Sequence, residues 1–382
     1  MRIALDSWVL ASRFRYQGAY VYARSLITEF QRIARTHPPM EFCLFTSPKN
    51  SNDAAALGAG AGFTLAPAAL LARDRLWRLG GATRAAARIH ADLIFAPTPS
   101  VLPMGKIPVV CTVHDATPLL MPSHSPKVTL LQRSFLWFVT RFARKIITPS
   151  ECSRNDLINL YGLADSRVAV IYEGYDKVTF NDVAPDPVAQ KMLLSKLKLD
   201  KPYILHHGVI QPRKNLKRLI EAYRLLLAKN PHLDFDLVLA GPLGWNYEEI
   251  LATARNSDSG TGRVVMPGIL EDTELALLIK GSSLVVIPSL YEGFCLPMVE
   301  SMACGIPVIA ANASCLPEIS GGVLKYFDPG SIEDMAACME QALEDNQLRL
   351  RLAQDGKKRA ANFDWPTCAE KTVAVFEECA GG

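Results

Sequence analysis

The chain has 382 residues, 49% of them hydrophobic and 21% charged, with 24 glycines and 25 prolines scattered without a period. That apolar share excludes a disordered or collagen-like chain, and at roughly 150 residues per domain the length points to two domains. The formal charge is only +3, but residues 1–180 hold 21 Lys+Arg against 12 Asp+Glu (+9), leaving 20 against 26 (−6) for residues 181–382.

In the first half, apolar runs predict strands at 2–5, 42–46, 92–96, 108–113, 145–148 and 168–171. Helical periodicity predicts helices at 20–34, 65–90, 126–142 and 151–160. The second half repeats the style. Strands are expected at 203–206, 236–240, 263–266, 284–287, 307–310 and 323–327, and helices at 216–228, 248–254, 271–280, 298–303, 332–343 and 348–362. Strands that are apolar on both faces and separated by single helices imply parallel sheets covered on both sides. The expected fold is therefore α/β with two doubly wound domains facing across a cleft. The expected boundaries are a first domain at 1–176, a linker at 177–200, a second domain at 201–362 and a terminal helix at 363–382 that crosses back to the first.

No apolar run approaches ~18 residues, and Met1–Leu10 reads as a short strand, so neither a transmembrane helix nor a signal peptide is expected. Nine cysteines with no CxxC or CxxH pair fit reduced thiols in a cytoplasm rather than a disulfide framework or a zinc site. The basic first half suits a lipid phosphate or an anionic membrane surface, and the 65–90 stretch, with Leu70, Leu71, Trp77, Arg73 and Arg75, could lie on one. No basic run with interleaved aromatics appears, so nucleic acid is not an expected partner.

Chemistry-bearing residues fall where strands end. After the strand ending at Pro288, a loop carries Glu292 and Gly293, then Phe294, Cys295 and Leu296 lead into a helix with Pro297 in its first turn and Glu300 further along. Backbone N–H groups at a positive helix end make a ready phosphate site, and an acidic side chain there suits sugar hydroxyls. Gly208 follows another strand, and Arg213 and Lys214 open the next helix, where two cations suit a diphosphate. His114 ends the 108–113 strand, with Asp115 placed to orient it or to cap the turn that follows. The only Asp-x-Asp, Asp234-Phe-Asp236, enters its strand at the amino end, so no metal is expected.

The run Glu292-Gly-Phe-Cys-Leu-Pro…Glu300 resembles the Glu–seven–Glu motif of retaining glycosyltransferases of family 4, which have the GT-B fold. Val113-His114-Asp115, Ile147-Thr-Pro-Ser150, Pro212-Arg213-Lys214-Asn215, Ala240-Gly-Pro242 and Ser314-Cys-Leu-Pro-Glu318 match in order along nearly the whole chain. The resemblance implies that Glu292 contacts the transferred sugar, Glu300 the ribose hydroxyls, His114 the donor sugar, and the Gly268-Ile269 turn the nucleobase. It also implies that the loop at Gly18 approaches the donor phosphates. The chain departs from the family pattern at Val209, where Arg is usual, at Cys295, where Gly is usual, and at Glu173, where Asn is usual. It also keeps a single glycine near Gly18.

The implied reaction is transfer of a hexose, with GDP-mannose the first candidate donor, to a glycan or lipid-diphosphate-linked acceptor in bacterial surface-polysaccharide synthesis. The nucleoside-diphosphate sugar is a co-substrate, and no cofactor is implied. The implied location is the cytoplasm, with peripheral contact at the inner membrane face through the basic first domain. A nucleotide-sugar epimerase of the same fold and a non-catalytic sugar-nucleotide binder are the alternatives.

Overall fold

The computed structural model describes residues 1–11, 15, 17–36, 40–46, 57, 60–68, 76–121, 126–255 and 262–380. Met1–Gly174 together with Trp365–Gly382 forms one compact unit, and Tyr175–Asp364 forms the other.

The first unit runs β1 (Arg2–Leu5), α1 (Gly18–Thr36), β2 (Glu41–Thr46), β3 (Phe63–Pro67), α2 (Ala82–Arg88), β4 (Leu93–Ala96), β5 (Val109–Thr112), α3 (Thr117–Leu120), α4 (Pro126–Phe142), β6 (Lys145–Thr148), α5 (Glu151–Tyr161) and β7 (Val168–Val170). The chain returns to this unit as α14 (Trp365–Ala380). The strands form one parallel sheet in the order β3-β2-β1-β4-β5-β6-β7. Its central strands are buried on both faces, which requires helices on both. On one face Phe30 of α1 stacks on Phe42 with centroids 4.9 Å apart, and Phe376 of α14 comes within 5.1 Å of Phe95.

The second unit runs α6 (Pro187–Leu197), β8 (Tyr203–His207), α7 (Leu216–Lys229), β9 (Asp236–Ala240), α8 (Glu248–Arg255), β10 (Val264–Gly268), α9 (Asp272–Gly281), β11 (Leu284–Ile287), α10 (Leu296–Ala303), β12 (Val308–Ala311), α11 (Leu316–Ser320), β13 (Lys325–Phe327), α12 (Ile332–Glu344) and α13 (Asn346–Ala360). Its sheet is parallel, in the order β10-β9-β8-β11-β12-β13.

Two expectations are corrected. The stretch expected as one helix over 65–90 begins with β3, an edge strand ending in Pro67, where a missing N–H is tolerated. Later it is broken at Gly80, with φ at +122°, so that among the described residues of this stretch the α-helix is Ala82–Arg88. Leu70, Leu71, Arg73 and Arg75 lie outside the described residues. The stretch expected as a linker, 177–200, belongs to the second unit: α6 packs against α9, and Lys196 reaches Glu274 at 2.6 Å.

Candidate functional site

In the second sheet the strand order reverses between β8 and β11, and crevices beyond the carboxyl ends of strands at such a point are where open α/β sheets bind ligands. The segments that leave these two strands carry the charged residues singled out from sequence. After β8 the chain passes Gly208, makes a single 3-10 turn at Pro212–Lys214, and enters α7 through Asn215 in a left-handed conformation. This turn folds Arg213 and Lys214 back toward the loop after β11. Leu290 N donates to the Arg213 carbonyl at 2.9 Å, and Glu292 N donates to Ser314 Oγ at 2.9 Å.

Glu292 sits between the two cations. Lys214 Nζ donates to its Oε1 at 2.6 Å, and Arg213 Nη1 donates to its Oε2 at 2.6 Å. Lys214 and Glu292 are buried, at 6% and 5% exposure. Burial alone would raise the Glu292 carboxyl, but the Arg213 and Lys214 charges and the Lys214 hydrogen bond outweigh it, bringing its pKa down to about 2. Two cations against one carboxylate leave the cluster with one positive charge, which suits an anionic ligand.

Glu300, on α10, has the opposite fate. Burial, followed by repulsion from Asp272 and Asp176, pushes its carboxyl up to about 8, against an opposing pull from Lys214. Its nearest cationic candidate, His207 Nδ1, stands 3.9 Å away, beyond hydrogen-bonding distance. His207 is itself held neutral: burial, then the charges of His206 and Lys214, lower its pKa to about 3.

The glycines after β8 and β9 and the one that ends β10 lace these strand ends together. Gly208 N donates to the Ala240 carbonyl at 2.9 Å, and Gly241 N to the Gly268 carbonyl at 2.8 Å. A Cβ on Gly241, at φ +137°, would lie 2.1 Å from the Gly208 oxygen, so only glycine permits this approach. Beside Gly208 there is room: a Cβ there would be 3.8 Å from Lys214 Nζ and 3.9 Å from His206 Nε2. Ile269, next to Gly268, is 45% exposed at the end of β10.

The remaining residues of the Glu292 loop serve the turn. Cys295 adopts φ +74° at the start of α10, and its buried thiol is pushed up to about 12, which makes it inert. The Phe294 ring turns into the core, edge-on to Phe363 at 5.3 Å, and Leu296 is also buried, so among these residues and Gly293 only backbone groups suit a ligand.

Within the first unit, His114 follows β5 and its ring is committed at both nitrogens. Nδ1 faces Glu173 Oε1 at 3.0 Å and Nε2 faces the Pro97 carbonyl at 3.0 Å, so both must carry protons for both bonds to form. Burial by itself lowers the His114 pKa, but the hydrogen bond and charge of Glu173 outweigh it and the net direction is upward. Tyr22 of α1 packs edge-on against the ring at 4.7 Å. Asp115 caps α3, accepting from Thr117 N at 2.9 Å, rather than orienting His114. Gly18 is the exposed first residue of α1; residues 12–14 and 16 of the loop before it lie outside the described residues.

Sequence reasoning assigned no role to Glu173 or to His206. His206 donates from Nδ1 to the Val286 carbonyl at 3.0 Å, which leaves a buried Nε2 without a partner near Lys214. Burial, then the Lys214 charge, lowers its pKa to about 4, so at neutral pH this nitrogen is an acceptor. The available signal was a polar pair at the carboxyl end of an otherwise apolar strand. The Asp-x-Asp carboxylates are spent elsewhere, Asp234 on Lys201 at 2.6 Å and Asp236 on Arg263 at 2.7 Å. Among the described residues no three His, Cys, Asp or Glu side chains gather to hold a metal ion.

Residues 194–359 match the family model described as glycosyl transferases group 1, and residues 16–178 match that of glycosyltransferase family 4. The chain is 29% identical over 296 residues to O-antigen chain mannosyltransferase B of Escherichia coli, with 76% of each chain covered. It is 29% identical over 281 residues to the serotype-specific mannosyltransferase WbdA of Escherichia coli, spanning 72% of this chain but 34% of that longer one. The structure of Anabaena HepE in complex with UDP and glucose superposes with a TM-score of 0.74 at 22% identity, over 99% of this chain and 100% of that one.

Proposed function

Because the chain belongs to the family 4 glycosyltransferases and has their GT-B fold, we propose that it moves a hexose, with retention of configuration, from a nucleoside-diphosphate sugar to a hydroxyl of a glycan or lipid-linked glycan. The observation that carries this reading is the Arg213–Glu292–Lys214 cluster at the topological switch point, with its surplus positive charge. Mannose from GDP-mannose is the first candidate, supported by the O-antigen mannosyltransferase among the relatives, and surface-polysaccharide synthesis is the setting that relative suggests.

In this reading Lys214 and Arg213 hold the diphosphate, with Gly208 giving it close approach and the backbone of 293–296 supplying N–H donors. Gly268 and Ile269 meet the base, Glu300 the ribose hydroxyls, and Gly18 lies near the phosphates. As the bond from C1 to the diphosphate oxygen breaks, negative charge grows on the leaving phosphate and its contacts with the two cations strengthen, which lowers the barrier. The acceptor oxygen bonds to C1 on the same face and its proton passes to the leaving diphosphate. Glu292 positions the sugar and stabilises oxocarbenium charge, and His114, whose ring nitrogens are taken by Glu173 and the Pro97 carbonyl, positions the sugar by packing against it. The two cations and the start of α10 supply the positive charge for this step, and no metal is assigned to it.

The test is mass spectrometry of products from a panel of donors, GDP-mannose and UDP-glucose among them, each offered with lipid-linked acceptors. A mass gain of one hexose on the acceptor is expected. Conversion of the donor sugar without any acceptor, read by NMR because an epimer keeps the donor's mass, would assign an epimerase instead, and binding without turnover under every acceptor would overturn enzymatic transfer.

A further inference from the structure

The helix α4 (Pro126–Phe142) buries one side and leaves the other to solvent. Leu136, Val139 and Thr140 are buried, while Leu130 is 66% exposed, Leu131 68%, Trp137 52% and Phe142 53%. Positions 130, 134, 137 and 141 fall on one face at helical spacing, with 131, 138 and 142 beside them. The aromatic members pack on one another, Phe138 with Phe142 at 4.5 Å and Trp137 with Phe142 at 6.3 Å, so the face is a continuous platform rather than scattered side chains. Leu120 of α3, which packs against α4, is 44% exposed as well. A patch of this kind marks an interaction surface.

The sequence around it is predominantly basic. Residues 101–150 contain six lysines and arginines against one acidic residue, Asp115, a balance of +5. Arg141 and Arg144 are exposed at the carboxyl end of α4, and there Arg167 donates to the carbonyls of Thr140 and Arg141, each at 3.0 Å. Burial first, and then the Arg141 charge, hold the Arg167 guanidinium below its ordinary value, as expected of crowded like charges. A second copy of the chain would bring the same positive charge to the same face. Aliphatic leucines are poor platforms for bases. An anionic bilayer complements both features, because the apolar stripe enters the headgroup boundary, Trp137 favours the interface, and the arginines pair with lipid phosphates.

We propose that the face of α4 carrying Leu130, Leu131, Trp137 and Phe142, with Arg141 and Arg144 at its end, is the surface by which this chain docks on an anionic phospholipid membrane. The helix lies in the plane of the interface and does not cross it; among the described residues no helix is long and apolar enough to span a bilayer. This surface is on α4, and the 65–90 stretch that composition favoured is not needed for it.

The experiment is sedimentation of the full chain with vesicles of phosphatidylcholine alone or with a third phosphatidylglycerol, with no donor or acceptor present, so that its outcome is independent of the proposed transfer. Binding to the anionic vesicles at least tenfold stronger than to the neutral ones is expected, weakening in high salt. The triple variant Leu130→Ser, Leu131→Ser, Trp137→Ser should lose most of this binding with an unchanged Tm, because all three side chains face solvent. Arg141→Glu with Arg144→Glu should weaken it at least roughly twenty-five-fold, from about fivefold for each arginine charge lost. A blue shift of tryptophan emission on binding should vanish in Trp137→Phe while binding persists. Equal binding by wild type and the triple variant would overturn the proposal. So would a wild-type dimer that the triple variant dissociates, which would assign the face to a second copy.

Discussion

In the loop after β11, Glu292 lies between an arginine and a lysine; eight residues on, on α10, Glu300 feels the repulsion of two aspartates, Asp272 and Asp176. Both are carboxyl groups of a single motif, Glu292 buried and Glu300 partly buried, and desolvation disfavours the charge of each. What separates them is the sign of the neighbours: the cations bring Glu292 down to about 2, and the aspartates help push Glu300 up to about 8. At neutral pH the first is a carboxylate and the second is largely a neutral acid that can donate a hydrogen bond. Two glutamates at fixed spacing are therefore two different chemical groups, and the second becomes a better acceptor only when it loses its proton.

The largest effect is expected from Glu292→Gln. Removing the charge leaves Arg213 and Lys214 buried without a counter-ion, a situation that costs about 3–5 kcal/mol when a buried pair is broken, although the amide oxygen retains one acceptor. Sugar transfer should fall by more than roughly a hundredfold, with a lower Tm in calorimetry, while nucleotide affinity stays measurable. A variant with full rate would remove Glu292 from the chemistry and with it the contrast between the two carboxyls. Lys214→Ala comes next. A charge-assisted contact is worth roughly 1.5–3 kcal/mol, so transfer should drop more than about tenfold. Near-normal activity in steady-state assays would reject the diphosphate role.

The contrast also has a pH signature. Glu300 binds its proton more tightly in the folded chain, at about 8, than at its ordinary value of 4.5. Its contribution to stability is thus complete below about 4.5 and is lost as pH rises through about 8. Glu292, depressed to about 2, contributes stability above 4.5 that is lost as pH falls through about 2, so it is silent between pH 5 and 8. His206 and His207, lowered to about 4 and about 3, add stability as pH rises toward 6.5. Denaturant titrations should therefore show wild-type stability falling with pH only across about pH 7–8, with a shallower fall there in Glu300→Gln and an unaltered slope in Glu292→Gln. The same slope in the wild type and in Glu300→Gln would show that the two carboxyls do not differ as described.

The strands of both sheets and the charged residues at their ends were legible from sequence because parallel strands buried on both faces are short apolar runs, and polar residues stand out where those runs stop. The strand Phe63–Pro67 was not, because an edge strand ending in proline and followed by a leucine-rich stretch reads as the start of a helix. What the charged residues do to one another was not legible either. Lys214 and Glu292 are 78 residues apart, and Glu173 reaches His114 across 59, so their pairing depends on strand order and not on local pattern. Glu173 read as a departure from a family motif; in the fold its carboxylate meets His114 Nδ1 at 3.0 Å and raises the pKa of that ring. The exposed face of α4 was hidden for a related reason, since periodicity gives the helix but not the side left unpacked.

The smallest effect is expected at Cys295, between the two glutamates. Its φ of +74° lies in the left-handed region, where a side chain costs roughly 1–2 kcal/mol relative to glycine. Cys295→Gly removes that cost, but it also enlarges the conformational freedom of the unfolded chain, worth about 0.5–1 kcal/mol, and gives up a small buried apolar group of about the same value. The opposing effects nearly cancel, so stability should change by less than about 1 kcal/mol in denaturant unfolding. The turn itself should persist, held by Met298 N donating to the carbonyl of residue 295 at 3.0 Å, a bond glycine keeps. If the backbone alone sets the two carboxyl environments apart, the pH slope across about pH 7–8 should match that of the wild type in this variant. A loss of several kcal/mol, or a flattened slope, would mean that the thiol, and not the left-handed turn, separates Glu292 from Glu300.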